Sequence, residues 1–196
     1  MKSKKLLIIA GINHSGKTTL GRELSKTLHC DFFDTDLETE RLTGKHPAIH
    51  TKEGGQVAYN REETNTAKFL VDNLKNQDTY TVISTGGGFC DNPEGWHFLK
   101  EHGYILWLNS DLETSFGRVA ADAKKILDSG GTFEDVPRYP GYKDAKLESL
   151  EDFRKMFYEF ITPQVQRYRE LCDVEINVKN APVQENLDFL LNKLPA

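Results

Sequence analysis

The sequence predicts an α/β protein in which a parallel sheet of five strands is wrapped by helices in a three-layer domain. Short apolar or β-branched runs alternate with segments of helical periodicity along the chain. A glycine-rich loop joins the first apolar run to the first helix, and no repeat, low-complexity tract or linker interrupts the order. Such alternation is typical of a sheet covered by helices. The length of 196 residues suits a single compact domain.

The predicted strands are five short runs of apolar and β-branched residues. They lie at 6–10, 32–33, 80–84, 104–108 and 174–178. Apolar residues recur at helical spacing between these runs. This spacing predicts one helix after Lys17 and others near 55–76, near 111–127, over about 147–171 and over about 182–193.

The segment 128–146 breaks this alternation. It is rich in glycine and proline and is longer than an ordinary connection between two elements. We therefore expect it to form a lid over a binding site. A surface insertion without a role in binding is the alternative.

The composition argues against two classes of partner and for a reducing compartment. The net charge of −5 provides no basic field for nucleic acid. No apolar run approaches the roughly 20 residues that a membrane span needs. The three cysteines, Cys30, Cys90 and Cys172, lie far apart without metal-ligand spacing. We expect them to be reduced thiols in a cytoplasmic protein, and we expect a monomer.

The loop between the first strand and the first helix carries the strongest motif. Residues 11–18 read GINHSGKT and match G-x-x-x-x-G-K-[ST]. Backbone N–H groups and the N-terminus of the following helix form an anion site there. The motif therefore predicts a bound nucleoside triphosphate, with ATP and Mg²⁺ as cofactors; a glycine-rich turn that happens to carry a lysine is the alternative. The expected nucleotide-binding residues are Gly11, Asn13, His14, Ser15, Gly16, Lys17, Thr18 and Thr19.

Two further features follow predicted strands, and ligands of open α/β sheets bind beyond the carboxyl ends of strands. Asp34-Thr35-Asp36 places two carboxylates after the second strand, where one can hold Mg²⁺ and the other can accept a proton. Alternatively, Asp36 caps a helix that begins near Leu37. The glycines of 85–88, which read TGGG, would allow a ligand to approach the backbone closely.

These three motifs together resemble the shikimate kinase family. That family has a phosphate loop, then F-x-D-x-D, then I-S-x-G-G-G, at about the spacing found here at 11–18, 32–36 and 83–88. Tyr59 and Glu63, Thr43-Gly44-Lys45, and the C-terminal segment from Tyr168 to Asp173 also echo the family. The resemblance covers most of the chain and weakens between about 119 and 165.

The resemblance implies a P-loop kinase domain over 1–196, in the nucleoside-monophosphate-kinase superfamily, with its acceptor-binding region at about 34–63. Such a cytoplasmic enzyme of aromatic amino acid biosynthesis would move the γ-phosphoryl group of ATP to a hydroxyl of shikimate. Lys17 would steady the phosphates and Asp36 would be the base. Thr18 and Asp34 would hold Mg²⁺, and Arg118 would stack on adenine unless it is a helix-surface arginine in an ion pair. The expected acceptor-binding residues are Asp36, Asn60, Arg61, Gly86, Gly87 and Gly88.

The departures from the family pattern concern the arginines that hold the carboxylate of shikimate. The arginine of F-R-x-x-E is Asn60 here, and Arg61 is rotated from that position by about 100° on a helix. A second arginine position, four residues before Tyr168, holds Gln164. In the lid, Arg138 is the expected transition-state arginine, with a solvated surface charge as the alternative.

These losses leave three hypotheses for function. The first is a shikimate-kinase-like phosphotransferase in which Arg61, Arg138 or Arg167 replaces the missing arginines. The second is a kinase of the same superfamily that acts on another small acceptor. The third is a non-catalytic nucleotide-binding module. His46 and His50 stand in a stretch that is usually apolar in the family and either contact an unusual acceptor or are loop histidines.

Overall fold

The computed structural model describes residues 5–74, 79–136, 139, 142 and 145–194. Within these ranges, five strands form one parallel sheet in the order β2-β3-β1-β4-β5. The strands are β1 (Leu6–Ala10), β2 (Asp31–Asp34), β3 (Thr81–Ser84), β4 (Tyr104–Ser110) and β5 (Val174–Val178). The predicted α/β class, strand number and parallel arrangement are confirmed.

Seven α-helices connect or cover these strands in the part of the chain that is described. They are α1 (Lys17–Thr27), α2 (Thr35–Thr43), α3 (Pro47–Asp72), α4 (Pro93–His102), α5 (Leu112–Asp128), α6 (Leu150–Leu171) and α7 (Val183–Leu191). A short 3₁₀ turn, Phe89–Asp91, precedes α4. Helix α4 was absent from the sequence prediction, although Asn92 caps it by accepting from the N–H of Gly95 and Pro93 starts its first turn.

Strand β1 lies at the centre of the sheet and explains its uninterrupted apolar run. All five of its residues are buried. Leu6 and Ile8 point into a core shared with α3 to α6, and Leu7 and Ile9 point into a second core shared with α1 and α7. Because both faces of a parallel sheet are covered, the strand has no polar side.

The parallel register brings the three sequence motifs to one edge of the sheet. Asp34 pairs with Ser84 across β2 and β3, and Ser84 pairs with Ile9 across β3 and β1. The chain leaves these strands into the phosphate loop, the aspartate pair and the glycine run. Three motifs that are far apart in sequence therefore converge on one cleft.

The start of α2 decides between two interpretations of the aspartate pair. The helix begins at Thr35, and the side chain of Asp34 caps it by accepting from the backbone N–H of Asp36 at 3.1 Å. The helix does not begin near Leu37 with Asp36 as its cap. The carboxylate of Asp36 is therefore left for other partners.

Helix α3 and the segment after α5 differ from their predicted forms. The two helical pieces of α3 meet at Gly55, which has φ 71° and ψ −172°, so the first piece extends α3 back to Pro47. In the predicted lid, Val136 is buried and Tyr139 stacks on Phe160 with ring centroids 4.6 Å apart. These contacts tie the described part of the segment to α6, and its role as a lid stays a prediction.

Two further expectations concern the chain as a whole. Among the residues described, no helix combines the length and the apolar character that crossing a membrane requires. Cys30, Cys90 and Cys172 are free thiols, of which Cys90 is buried.

Candidate active site

The phosphate loop is shaped by residues with unusual backbone angles. Gly11 and Gly16 have φ values of 150° and 93°, and His14 has a φ of 61°, in the left-handed region that non-glycine residues seldom adopt. A Cβ on Gly11 would lie 2.8 Å from the carbonyl oxygen of Leu108 on β4. Arg118 of α5 steadies the loop, since its Nη1 donates to the carbonyl oxygen of His14 at 2.7 Å.

Lys17 and Thr18 open α1 directly behind this loop. Lys17 is buried and its Nζ donates to the carbonyl oxygen of Ile12 at 2.7 Å. Burial lowers the pKa of the Lys17 amine to about 8, against the opposing effect of the Asp36 and Asp34 carboxylates. Thr18 donates its hydroxyl hydrogen to Oδ2 of Asp34 at 2.7 Å. The helix start thus places a cation, a hydroxyl and a carboxylate side by side.

Asp36 faces the same cleft, which has a volume of about 260 Å³. Its Oδ1 accepts a hydrogen bond from the hydroxyl of Tyr59 at 2.6 Å. Burial raises the pKa of the Asp36 carboxyl, and the Tyr59 hydrogen bond opposes that shift. The residues that line this cleft are Asn13, His14, Gly16, Lys17, Thr18, Thr19, Asp34, Asp36, Thr85 and Gly87.

The glycine run closes the cleft because side chains would not fit there. A Cβ on Gly86 would lie 2.9 Å from Oδ1 of Asp36, and a Cβ on Gly87 would lie 1.8 Å from Oδ1 of Asn13. Gly88 leaves more room, with the nearest atom, Nε2 of Gln164, at 3.7 Å. The close packing at Gly86 and Gly87 joins the phosphate loop to the aspartate side of the site.

A second cavity, of about 310 Å³, adjoins the outer side of the phosphate loop. Arg118 lines it together with apolar residues at and after the end of β5, among them Val178 and Val183. Arg118 thus contributes the guanidinium side of a cavity whose other walls are partly apolar, and its role in binding adenine stays a prediction. The residues that line this cavity are His14, Ser15, Gly16, Thr19, Leu20, Arg118, Val178, Ala181, Val183 and Asn186.

The two positions that carry arginine in the family both contact Asp91 in this chain. Nδ2 of Asn60 donates to the backbone oxygen of Asp91 at 2.9 Å, and Nε2 of Gln164 donates to Oδ2 of Asp91 at 2.8 Å. Nη2 of Arg167 lies 2.6 Å from Oδ1 of Asp91. An Asp91–Arg167 ion pair and the amides of Asn60 and Gln164 therefore form one cluster of polar contacts around Asp91.

Other predicted residues lie elsewhere. The side chain of Arg61 is 71% exposed, pairs with Glu62 at 2.9 Å and lines a separate depression with Lys45 and His50. His50 shares a hydrogen bond with Thr43 at 2.9 Å. Arg138, the predicted transition-state arginine, lies outside the described residues.

Two members of the site were missed from sequence. Asp91 and Asn92 follow the glycine run, and nothing in the local pattern marks Asp91 as a partner of residues on α3 and α6. Asn92 precedes a proline and an apolar pair at helical spacing, which is a helix-start signal that would have located it.

Comparisons with known proteins agree with this geometry. The family model described as shikimate kinase matches residues 13–190. The shikimate kinase of Pelotomaculum thermopropionicum is 39% identical over 115 residues, which are 59% of this chain and 64% of that protein. The shikimate kinase of Psychromonas ingrahamii is 31% identical over 160 residues, which are 81% of this chain and 84% of that protein.

A solved structure shares the fold. The shikimate kinase from Acinetobacter baumannii in complex with shikimate superposes with a TM-score of 0.70 at 23% identity, over 96% of this chain and 91% of that one. The family match spans most of the present chain. The chain belongs to the shikimate kinase family and is a shikimate-kinase-like phosphotransferase, an ATP-dependent kinase that phosphorylates an alcohol group.

Proposed function

We propose that this protein transfers the γ-phosphoryl group of Mg²⁺-bound ATP to a hydroxyl of shikimate. One observation carries the proposal. The phosphate-loop lysine, Lys17, and the carboxylate of Asp36 line a single cleft that the glycine run closes. A donor site and a proton acceptor that face the same space are what direct phosphoryl transfer requires.

On the donor side, the chain supplies positioning and charge. Loop N–H groups and Lys17 would hold the β- and γ-phosphates, and Arg118 would cover the adenine. The hydroxyl of Thr18 and the carboxylate of Asp34, 2.7 Å apart, are oxygen donors of the kind Mg²⁺ prefers. The described residues contain no cluster of three His, Cys, Asp or Glu side chains suited to a metal ion. Such a cluster is not needed, because Mg²⁺ keeps waters and phosphate oxygens as its other ligands.

On the acceptor side, Asp36 would orient the attacking hydroxyl and take its proton. Its partly buried carboxylate has a raised pKa, which makes it a better proton acceptor than an ordinary surface aspartate. The backbone of Gly86 and Gly87 lies close enough to limit where the acceptor can sit. Bound Mg²⁺ would neutralise charge on the γ-phosphate, and Asp36 would direct the acceptor hydroxyl towards that phosphate.

For the acceptor carboxylate, Arg167 is the arginine we propose. Its guanidinium pairs with Asp91, and Gln164, which shares Asp91, lies next to Gly88. Arg61 is a weaker candidate because it pairs with Glu62 on a different surface. Since a guanidinium offers five N–H donors, Arg167 can keep Asp91 and bind a second carboxylate.

The proposal includes a monomeric enzyme of the cytoplasm. Free thiols on all three cysteines suit a reducing compartment. Size-exclusion chromatography with light scattering would test the oligomeric state.

The decisive experiment measures ADP release from ATP and Mg²⁺ with millimolar shikimate, and with quinate and gluconate as matched hydroxyacids. We expect strong stimulation by shikimate alone. If ATP binds but no acid stimulates ADP release, the acceptor assignment is wrong. In that case the changes at Asn60 and Gln164 have altered specificity.

A further inference from the structure

The candidate base has a partner that the phosphoryl-transfer scheme does not use. The hydroxyl of Tyr59, on α3, donates to Oδ1 of Asp36 at 2.6 Å. Position 59 is the phenylalanine position of F-R-x-x-E, so the hydroxyl is a feature of this chain rather than of that motif. A short hydrogen bond to a carboxylate is strong and directional.

Tyr59 is itself fixed by a buried network. Glu63 lies one helical turn further along α3, is 1% exposed, and has its Oε1 3.4 Å from the Tyr59 hydroxyl. Oε2 of Glu63 accepts from Nδ2 of Asn92 at 3.0 Å. Oδ1 of Asn92 accepts from the hydroxyl of Thr64 and from the N–H of Gly95, each at 3.1 Å. The Tyr59 hydroxyl is therefore tied through Glu63 to the start of α4.

The hydroxyl has one hydrogen and two neighbouring carboxyl groups. Asp36 is much the nearer of the two and receives it. Burial raises the pKa of the Glu63 carboxyl to about 8, and the hydrogen bonds from Asn92 and Tyr59 oppose that rise. Glu63 is therefore the second and more distant acceptor beside the Tyr59 hydroxyl, and Asp36 is the first.

The backbone of Gly86 closes the opposite side of this network. A Cβ at that position would lie 2.8 Å from Oε1 of Glu63, 2.9 Å from Oδ1 of Asp36 and 3.1 Å from the Tyr59 hydroxyl. The three polar groups are thus packed against a strand end as well as against each other. Oδ1 of Asp36 has little room to move.

We propose that Tyr59 is a positioning residue, whose hydroxyl holds Oδ1 of Asp36 and so presents Oδ2 to the acceptor hydroxyl. The proposal rests on the proposed function, in which Asp36 takes the acceptor proton. An aspartate carboxylate rotates over a broad range about its last torsion. Fixing one oxygen selects the orientation in which the other oxygen faces the acceptor, and such orientation is a recognised source of rate.

The first test is the Tyr59→Phe variant, which removes only the hydroxyl. We expect kcat to fall roughly 10-fold, with KM for ATP and the melting temperature nearly unchanged. The matched control is Tyr158→Phe, which removes a hydroxyl that donates to the carboxylate of Glu113 on α5. It should leave kcat unchanged. A purely structural role for Tyr59 would lower the melting temperature and leave kcat intact, and that result would overturn the proposal.

A second measurement separates this proposal from the choice of acceptor. Crystal structures of the wild-type protein and of Tyr59→Phe, each with ADP and Mg²⁺, should show Asp36 ordered in the first and rotated or split in the second. An Asp36 carboxylate with the same single orientation in both would refute the positioning role. If the two structures differ in this way while the wild-type protein gives no shikimate-dependent ADP release, the result refutes shikimate as the acceptor and supports the role of Tyr59.

Discussion

The nucleotide half and the acceptor half of the site are assembled in different ways. The nucleotide half is built around the contiguous residues 11–19, with Arg118 of α5 added, and its shape depends on backbone angles and helix geometry. The acceptor half collects side chains from α2, α3, the turn before α4 and α6. All the departures from the family pattern that lie in the described residues fall in this second half. A site made by the backbone tolerates little variation, whereas side chains on separate elements can be exchanged.

The two halves also differ in the ionisable group that each one buries, a lysine in one and a glutamate in the other. Burial lowers the pKa of Lys17 to about 8 on the nucleotide side and raises the pKa of Glu63 to about 8 on the acceptor side. An anionic ligand would stabilise the charged form of the lysine. The glutamate already accepts hydrogen bonds from Tyr59 and Asn92, which oppose the rise of its pKa. The buried group of the nucleotide half is therefore suited to bind an anionic ligand, whereas the buried group of the acceptor half already has hydrogen-bond partners within the protein.

Removing the buried cation should have the largest effect. Lys17→Ala should reduce kcat more than about 1000-fold, because the amine is placed to stabilise charge on the transferred phosphoryl group. The melting temperature should not fall, since a desolvated amine is removed. ADP release and thermal unfolding would measure the two quantities, with Lys26→Ala on the exposed end of α1 as the control. A fully active Lys17→Ala protein would contradict the phosphate-loop assignment.

Disturbing the contact between Gly87 and the phosphate loop, where the two halves meet, should have the next largest effect on kcat. In Gly87→Ala the new Cβ would lie 2.8 Å from the backbone nitrogen of Asn13, so the phosphate loop must shift. We expect kcat to fall roughly 100-fold, because a displacement of about 1 Å has a cost of this size. Gly117→Ala on α5 is the matched control, because its Cβ meets no atom within 4 Å. It should raise stability by about 0.5–1 kcal/mol. Equal activity in the two variants would refute the close contact.

The buried acid predicts how stability depends on pH. Glu63 has a pKa of about 8 in the folded protein and an ordinary value of about 4.3 when unfolded. The folded state therefore binds more protons between these values, and its stability falls as pH rises from about 4.5 to about 8. Glu63→Gln should remove this loss, so that wild type loses roughly 3.5 kcal/mol more than the variant between pH 5 and pH 8. Urea unfolding at the two pH values would measure it, with the exposed Glu40→Gln as control. Parallel curves for wild type and Glu63→Gln would contradict a buried, protonated Glu63.

The smallest expected effect concerns recognition of the acceptor. Arg167→Gln should raise KM for shikimate about 10-fold and leave KM for ATP unchanged, since one charge-assisted hydrogen bond is lost. Arg61→Gln tests the competing assignment of the acceptor carboxylate, because Arg61 pairs with Glu62 on another surface. Steady-state kinetics with each substrate varied in turn would measure both. A larger rise in KM for shikimate in Arg61→Gln than in Arg167→Gln would assign the acceptor carboxylate to Arg61 instead.

The sequence was informative where a structure depends on neighbouring residues. The phosphate loop and the buried run of β1 follow from local patterns, and the aspartate pair and glycine run were correctly expected at strand ends. The rotation of Arg61 away from the Asn60 position also followed from helix geometry. These predictions needed only the backbone period and the parallel arrangement.

The sequence was uninformative where a contact joins distant segments. The partners of Asp91 come from α3 and α6, and the hydrogen bond from Tyr59 to Asp36 joins α3 to α2. No periodicity encodes which polar side chain on one element will meet which on another. The capping role of Asp34 instead of Asp36 was missed for a different reason, because helix starts are uncertain by a residue or two.

The central place of β1 has a consequence for how the protein forms. Its neighbours in the sheet are distant in the chain, since Leu6 pairs with Thr81 and Leu7 with Tyr104. During synthesis, the first strand and the loop behind it must wait for β3 and β4 to emerge before either edge is covered. The segment that will bind the nucleotide is thus made well before the two strands that flank it. An apolar strand left open for that interval is a natural target for chaperones.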